Sequence, residues 1–212
     1  MSTGESELLE RWRAGDLAAG ETLFEKYYEM VERFFLNKQV GDIDDLIQDT
    51  FAACCEGRDR LQDGCKFRSY LFSVAYNVLC GRLRRGYREG KTIDVEQASI
   101  ADLSPGPGSL IVNRGEQRLL LEGLRNIPVG YQLVLELHYW EEMTTVEIGA
   151  VLGVPASTAR TRLRRARDHL EGAMQSLSNS SELLQSTVSG LEDWARRIRE
   201  QLHRGSHDPA DT

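Results

Sequence analysis

The sequence predicts an all-α protein: two small helical domains joined by a flexible linker, with a C-terminal amphipathic helix beyond them. Three observations lead there. Apolar residues recur at spacings of three and four along most of the chain, the period of a helix that buries one face. Runs of strictly alternating apolar and polar residues, which mark half-buried strands, are scarce. The helical pattern also fails over one long stretch, residues 92–115, where "ADLSPGPGSL" interleaves Pro105 and Pro107 with glycines.

The elements follow in chain order. Leu8, Leu9 and Trp12 open a short helix that Gly15 ends, and Leu23, Phe24, Tyr27, Val31 and Phe34 mark the inner face of a second. "VGD" at 40–42 breaks the pattern, and Asp42 caps a third helix with Ile43, Leu46, Ile47 and Phe51 inward. After a turn at "QDG", 62–64, a long helix runs from about Phe67 to Tyr87, weakened past Leu79 by Gly81. Leu119, Leu120 and Leu124 resume the pattern from about Glu116, "NIPVGY" interrupts it, and "YQLVLELHYWEE" is a further apolar helix. Thr144 with Glu147 three residues on forms a capping box for the next helix. Gly153 ends that one, and Pro155 starts the last. Beyond the breaker cluster "SLSNSSE", Leu184, Val188, Leu191, Ala195, Ile198 and Leu202 describe the amphipathic tail helix. The domain limits are therefore 1–91, a linker over 92–115, 116–174, and an extension over 175–212. Domains of this size bury only about 60% of the surface of their unfolded chains, so each alone has modest stability.

No run approaches the roughly 18 apolar residues of a membrane helix, and "MSTGESELLERW" lacks the basic-then-apolar pattern of a secretory signal. A cytoplasmic protein that binds no membrane is expected. Cys54, Cys55, Cys65 and Cys80 contain no CxxC pair and lie far from the four histidines, so neither a metal site nor a cofactor is expected and the thiols read as reduced and buried. Adjacent Cys54 and Cys55 point about 100° apart on a helix, which disfavours a bond between them. His138, His169, His203 and His207 have no nucleophile or partner acid at a catalytic spacing, so an enzyme is not expected.

The net charge of −7 is unevenly spread. Residues 1–63 hold 7 basic and 15 acidic residues, residues 66–91 hold 7 basic and 1 acidic, and residues 154–167 hold 5 basic and none acidic. Local blocks of this kind are what a phosphate backbone senses, whatever the total.

The second block lies in "TTVEIGAVLGVPASTARTRLRRARDHL", which has the build of a helix-turn-helix. Its first helix is expected to bury Val146, Ile148 and Leu152. Its second is expected to bury Ala159, Leu163, Ala166 and Leu170, leaving Arg160, Thr161, Arg164, Arg165 and Arg167 outward. A helix fits the major groove, where arginine can bond a guanine edge twice and others can neutralise phosphates. In the first block, "FRSYLFSVAYNVLCGRLRRGYR", aromatics alternate with arginines, and Tyr70, Asn77 and Arg84 fall seven apart on one face. Such a face suits unpaired bases, whose stacking on an aromatic is worth about 1–3 kcal/mol; the alternative is that the aromatics are core. In "DIDDLIQDTF", 42–51, Asp45, Gln48 and Asp49 share one exposed face that could dock a basic partner or simply be solvated.

The three motifs together, in this order and spacing over about residues 8–172, resemble the extracytoplasmic-function sigma factors, the minimal two-domain members of the sigma-70 superfamily. On that resemblance the first domain is sigma-2-like and the second sigma-4-like. The resemblance implies that Asp42, Asp45, Gln48 and Asp49 bind core RNA polymerase at its β′ coiled coil, with the β flap as a second contact. It implies that the turn from Asp59 to Lys66 captures a flipped base of the promoter −10 element. Lys66, Arg68, Tyr70 and Asn77 would flank the melted strand, and Arg84, Arg85 and Arg88 would hold the upstream duplex. Ser157, Thr158, Arg160, Thr161, Arg164 and Arg165 would enter the −35 major groove. Promoter DNA is thus an implied partner, and an anti-sigma factor a further one. The sequence departs from the family pattern at Tyr70, where Trp is usual, at Gly81, at Gly149, where Ala is usual, and at Ser157, where Gly is usual. The competing reading is a stand-alone helix-turn-helix regulator, with residues 1–90 as an effector or dimer domain. A simple repressor needs neither "DIDDLIQDTF" nor the aromatic–basic helix.

Overall fold

In a computed structural model, residues 3–36, 38, 40–61, 66–86, 97–100 and 115–177 are described. Helices carry all of the extended regular structure among them. These are α1 (Thr3–Arg13), α2 (Leu17–Leu36), α3 (Ile43–Gly57), α4 (Phe67–Gly86), α5 (Gly115–Arg125), α6 (Val129–Tyr139), α7 (Thr145–Leu152) and α8 (Ala156–Leu177), with a single 3₁₀ turn at Arg58–Arg60. The tail helix anticipated beyond residue 177 and most of the linker lie outside the described residues.

Helices α1–α4 close around aromatic rings. Trp12 of α1 meets Phe24 of α2 and Phe67 of α4 edge-on, at centroid distances of 5.5 and 5.6 Å, while Phe24 stacks on Phe51 of α3 at 4.7 Å. One cluster thus ties four helices, in the offset and T-shaped geometries that aromatic quadrupoles favour. α1 lies close to α2 because residue 20 has no side chain: a Cβ there would sit 2.4 Å from Trp12 Cδ1. Asp42 caps α3, accepting the Asp44 N–H at 3.0 Å and the Asp45 N–H at 3.5 Å. α4 runs unbroken through Gly81 to Gly86; the cost of one glycine is outweighed by the buried Leu79, Cys80 and Leu83 around it.

The second domain is built on α8. Its inner stripe of Ala159, Leu163, Ala166, Leu170 and Met174 is buried against α5, α6 and α7. The expected capping box opens α7: the Thr144 hydroxyl accepts the Glu147 N–H at 3.3 Å, and the Glu147 carboxylate accepts the Thr144 N–H at 2.9 Å. Gly153 closes the helix in the left-handed region, at φ 65°.

Three sequence expectations change, and one feature that the sequence left open is settled. Val146 is 67% exposed, and Val151 takes its place in the core beside Ile148. At 100° per residue, Val146 lies about 200° around α7 from Ile148, whereas Val151 lies three residues on, on the same face. Cys55 is exposed rather than buried, because Cys54 takes the inward position on α3; Cys54, Cys55 and Cys80 are all free thiols. Within the stretch read as linker, residues 97–100 are anchored: Ser99 bridges to Pro128, the Val129 N–H donates to the Ala98 carbonyl at 2.9 Å, and Ile100 is fully buried. Finally, the two domains pack on each other, with α4 against α7.

That contact is ionic. Lys38, wholly buried past the end of α2, donates to the buried Glu136 carboxylate of α6 and to the Phe34 carbonyl at 2.8 Å. Arg33 and Arg68 reach the Glu141 carboxylate at 3.6 and 3.2 Å, and Arg68 also donates to the Glu141 carbonyl. Lys66 pairs with Glu147 at 2.9 Å. Burial pushes the Lys38 ammonium below its ordinary pKa against the pull of Glu136. It pushes the Glu141 carboxyl up, against the pull of Arg33 and Arg68.

Gly20→Ala is expected to force Trp12 from its place and cost about 1–3 kcal/mol, as overpacked sites do, read as a lower urea midpoint with an unchanged slope. Hydrogen bonds from Lys66 and the Thr144 N–H hold the Glu147 carboxyl at about 2, below its usual 4.5. A depressed pKa means that the folded state binds the proton more weakly. The resulting stability is therefore complete above about pH 4.5 and lost as pH falls toward about 2. Urea titrations of the natural protein and of Glu147→Gln should differ at neutral pH and converge as pH falls through that window.

Candidate nucleic-acid interface

The helix-turn-helix is rigid for reasons that can be named. Its turn is closed by the Val154 N–H donating to the Gly149 carbonyl at 2.9 Å, and α8 starts with the Ala159 N–H on the Pro155 carbonyl at 3.0 Å. Gly149 is packed under that turn: a Cβ would lie 2.7 Å from the Val154 carbonyl oxygen. A side chain at 149 would therefore push this turn away from α7. Opposite the buried stripe of α8, Ser157, Arg160, Thr161, Arg164 and Arg165 are exposed and Thr158 is half-buried. Arg160, Arg164 and Arg165 make no ion pair among the described residues. Thr161 donates its hydroxyl to the Ser157 carbonyl at 3.1 Å. Arg167 lies over the Tyr139 ring at 5.4 Å and so is partly committed to its own domain.

The aromatic–basic helix resolves into core and groove. Phe67, Phe72 and Tyr76 are buried, which is the core alternative for those rings. Tyr70 is half-buried and donates its hydroxyl to the Cys54 carbonyl at 3.2 Å. Together with Asn77 and Arg85 it lines an open groove of about 600 Å³ between α3 and α4, floored by Ala53, Val74 and Val78. The expected alignment of Tyr70 and Asn77 thus ends on Arg85; Arg84 is exposed but does not line the groove. Arg88 lies outside the described residues, as do residues 62–65 of the turn. Lys66 and Arg68 are placed differently from the rest, engaged by Glu147 and Glu141 of the second domain. The Arg68 Nε is buried with no hydrogen-bond partner among the described residues.

On α3, Asp45, Gln48 and Asp49 are exposed together, and Asp49 also reaches the rim of the groove. Asp42 stands apart from them. Its carboxylate is turned onto the first N–H groups of its own helix, so it positions the acid face as a cap. Asp44 and Asp45 in the first turn complement the positive end of that helix.

Sequence patterning missed the acids facing Lys38, Lys66 and Arg68. Glu136, Glu141 and Glu147 sit in "LELHYWEEMTTVE", where Glu147 reads as half of a capping box and the other two lie in or at the end of an apolar helix with no role assigned. The available signal was Glu136 inside an apolar run, because a charged residue there needs a partner. Among the described residues no cluster of three metal-ligating side chains occurs, and no helix is long and apolar enough to cross a membrane.

Comparison with known proteins gives matches along most of the chain. Residues 23–89 match the family model for sigma-70 region 2, and residues 117–170 match that for sigma-70 region 4. The chain is 25% identical over 162 residues to the ECF RNA polymerase sigma factor SigW of Bacillus subtilis, covering 72% of this chain and 85% of that one. It is 25% identical over 180 residues to the ECF RNA polymerase sigma-E factors of Salmonella typhimurium and Escherichia coli, covering 80% of this chain and 94% of theirs. Among solved structures, that of CnrH in complex with the cytosolic domain of CnrY has the same fold, with a TM-score of 0.59 at 22% identity over 82% of this chain and 99% of that one.

Proposed function

The chain belongs to the extracytoplasmic-function sigma factors of the sigma-70 family, and we propose that it directs RNA polymerase to promoters through the surfaces built on α3, α4 and α8. It is an RNA polymerase sigma factor and a DNA-binding transcription initiation protein. In this reading it catalyses no covalent step; its chemistry is recognition in the cytoplasm.

The observation that carries the residue-level reading is the unpaired face of α8. Arg160, Arg164 and Arg165, which make no ion pair among the described residues, stand with Thr161 on the exposed side of a helix whose other side is fixed in the core. Such a helix can enter the −35 major groove, where one guanidinium can form a bidentate bond to guanine and others neutralise phosphates. Ser157 and Thr158 lie at its entering end. On the first domain, Asp45, Gln48 and Asp49 offer an exposed acid face to the basic β′ coiled coil of core polymerase, with Asp42 fixing its first turn. Tyr70, Asn77 and Arg85 border a groove wide enough for an unstacked base, while Lys66, Arg68, Arg84 and Arg88 supply charge for the strand and the upstream duplex. Extruding a base costs a few kcal/mol, which contacts in the groove would offset. The β flap is the expected partner of the second domain. The structure of CnrH, which carries the cytosolic domain of another protein, supports counting an anti-sigma factor among the partners.

Run-off transcription tests the reading: core polymerase should initiate at discrete genomic promoters only when this protein is added. Failure to initiate at any of them, with the protein alone footprinting DNA, favours the stand-alone regulator instead. The double variant Asp45→Lys, Asp49→Lys should lose core binding in titrations while keeping its helix content; unchanged affinity overturns the docking face. Arg164→Ala should lose about 1–3 kcal/mol on the preferred −35 sequence and less on altered ones if it reads a base. An equal loss on every sequence makes it a phosphate contact.

A further inference from the structure

The two candidate DNA surfaces are in opposite states. Arg160, Arg164 and Arg165 of α8 are exposed, whereas Lys66 and Arg68 at the start of α4 are spent on carboxylates of the second domain. Four cations of the first domain, Arg33, Lys38, Lys66 and Arg68, face three acids of the second, Glu136, Glu141 and Glu147. Among the described residues, every interdomain ion pair has the same polarity. The set is graded from a wholly buried pair at Lys38–Glu136, through the half-buried Arg68 on a buried Glu141, to the exposed Lys66 on Glu147. A carboxylate held by Arg68 through its guanidinium presents the same charge and hydrogen-bond geometry as a phosphate oxygen. Arg68 cannot serve both at once, and neither can Lys66.

We infer that the acid face of the second domain is a built-in competitor for the −10 strand, and that the Lys38–Glu136 and Arg33/Arg68–Glu141 pairs clasp the domains in a closed form that masks Lys66 and Arg68. The inference rests on the assignment of Lys66 and Arg68 to the DNA strand. Its physical content is an equilibrium between a closed and an open form. A ligand shifts that equilibrium only by binding one form better, and an anionic single strand on Lys66 and Arg68 binds the open form alone. Core polymerase shifts it the same way if its seats for the two domains lie farther apart than the clasp allows. The free arginines of α8 let the closed form touch duplex DNA, and the masked cations keep it from holding a melted strand.

Acetylation of the intact protein with a lysine-selective reagent, read by mass spectrometry, measures the clasp directly. Lys38 is wholly buried, and Lys26, on an exposed part of α2, is the internal standard. In the natural protein Lys38 should react at least tenfold more slowly than Lys26. Glu141→Lys sets a cation against Arg33 and Arg68 and should raise Lys38 reactivity at least tenfold with helix content unchanged. Glu136→Gln is the milder second variant and should act in the same direction. Binding to a fluorescein-labelled single-stranded DNA of random sequence should tighten at least tenfold in both variants, and adding Arg68→Ala should abolish the gain. Lys38 staying protected in both folded variants overturns the clasp. Lys38 becoming reactive with no Arg68-dependent gain in single-strand binding overturns the masking. If core polymerase initiates nowhere with any of these proteins, the transcription reading falls while the acetylation result still decides the clasp.

Discussion

The ammonium of Lys38, fully buried just past the end of α2, lies between the Glu136 carboxylate, the Phe34 carbonyl and the face of the Phe34 ring, 3.6 Å from its centroid. Gln132 steadies the acid from one turn away, donating to its other oxygen at 2.9 Å. Leaving either charge buried alone costs about 3–5 kcal/mol, so α2 and α6 cannot slide past one another without releasing water-starved ions. That constraint sets the rest of the interface. With α6 fixed, its C-terminal end delivers Glu141 to Arg33 and Arg68, and α7 follows with Glu147 beside Lys66. The arrangement contributes specificity of placement more than net stability, because ions taken from water recover in pairing little more than they lose.

The uneven charge of the sequence has a spatial counterpart. Four cations of the first domain, Arg33, Lys38, Lys66 and Arg68, turn toward the second domain, while Asp45 and Asp49 remain open to solvent on α3. The arginine block of α8 lies on the opposite side of that helix from its packed stripe, where no described carboxylate pairs with it. A chain with a net charge of −7 thereby repels nucleic acid at long range and still offers it one concentrated cationic helix at short range.

Local chemistry was legible in the sequence, and long-range pairing was not. The Thr144–Glu147 box, the Asp42 cap, the αL glycine at 153 and the 159/163/166/170 stripe are all written in spacings of four residues or fewer, and each forms as read. Val146 was misplaced because Val146, Ile148, Val151 and Leu152 in a helix of eight fit more than one face; the structure buries the face that carries Ile148 and Val151. The aromatics of α4 could be core or platform until a neighbour was known, and Trp12, Phe24 and Tyr27 claim Phe67 for the core. Lys38 and Glu136 stand 98 residues apart, and nothing near "NKQV" marks its lysine as buried. The acid face that meets the first domain was hidden for the same reason.

The bridge between Ser99 and Pro128, with Ile100 sunk beside it, fastens residues 97–100 to the second domain. While it holds, the covalent connection between the domains is the stretch 87–96, which at about 3.5 Å per residue spans at most about 35 Å. Without it, the upper bound is that of the 28 positions from 87 to 114, about 98 Å. The backbone pairing of Ala98 and Ser99 and one buried isoleucine therefore limit how far the domains can part, and with it how far apart two sites on DNA can be and still be held by one chain.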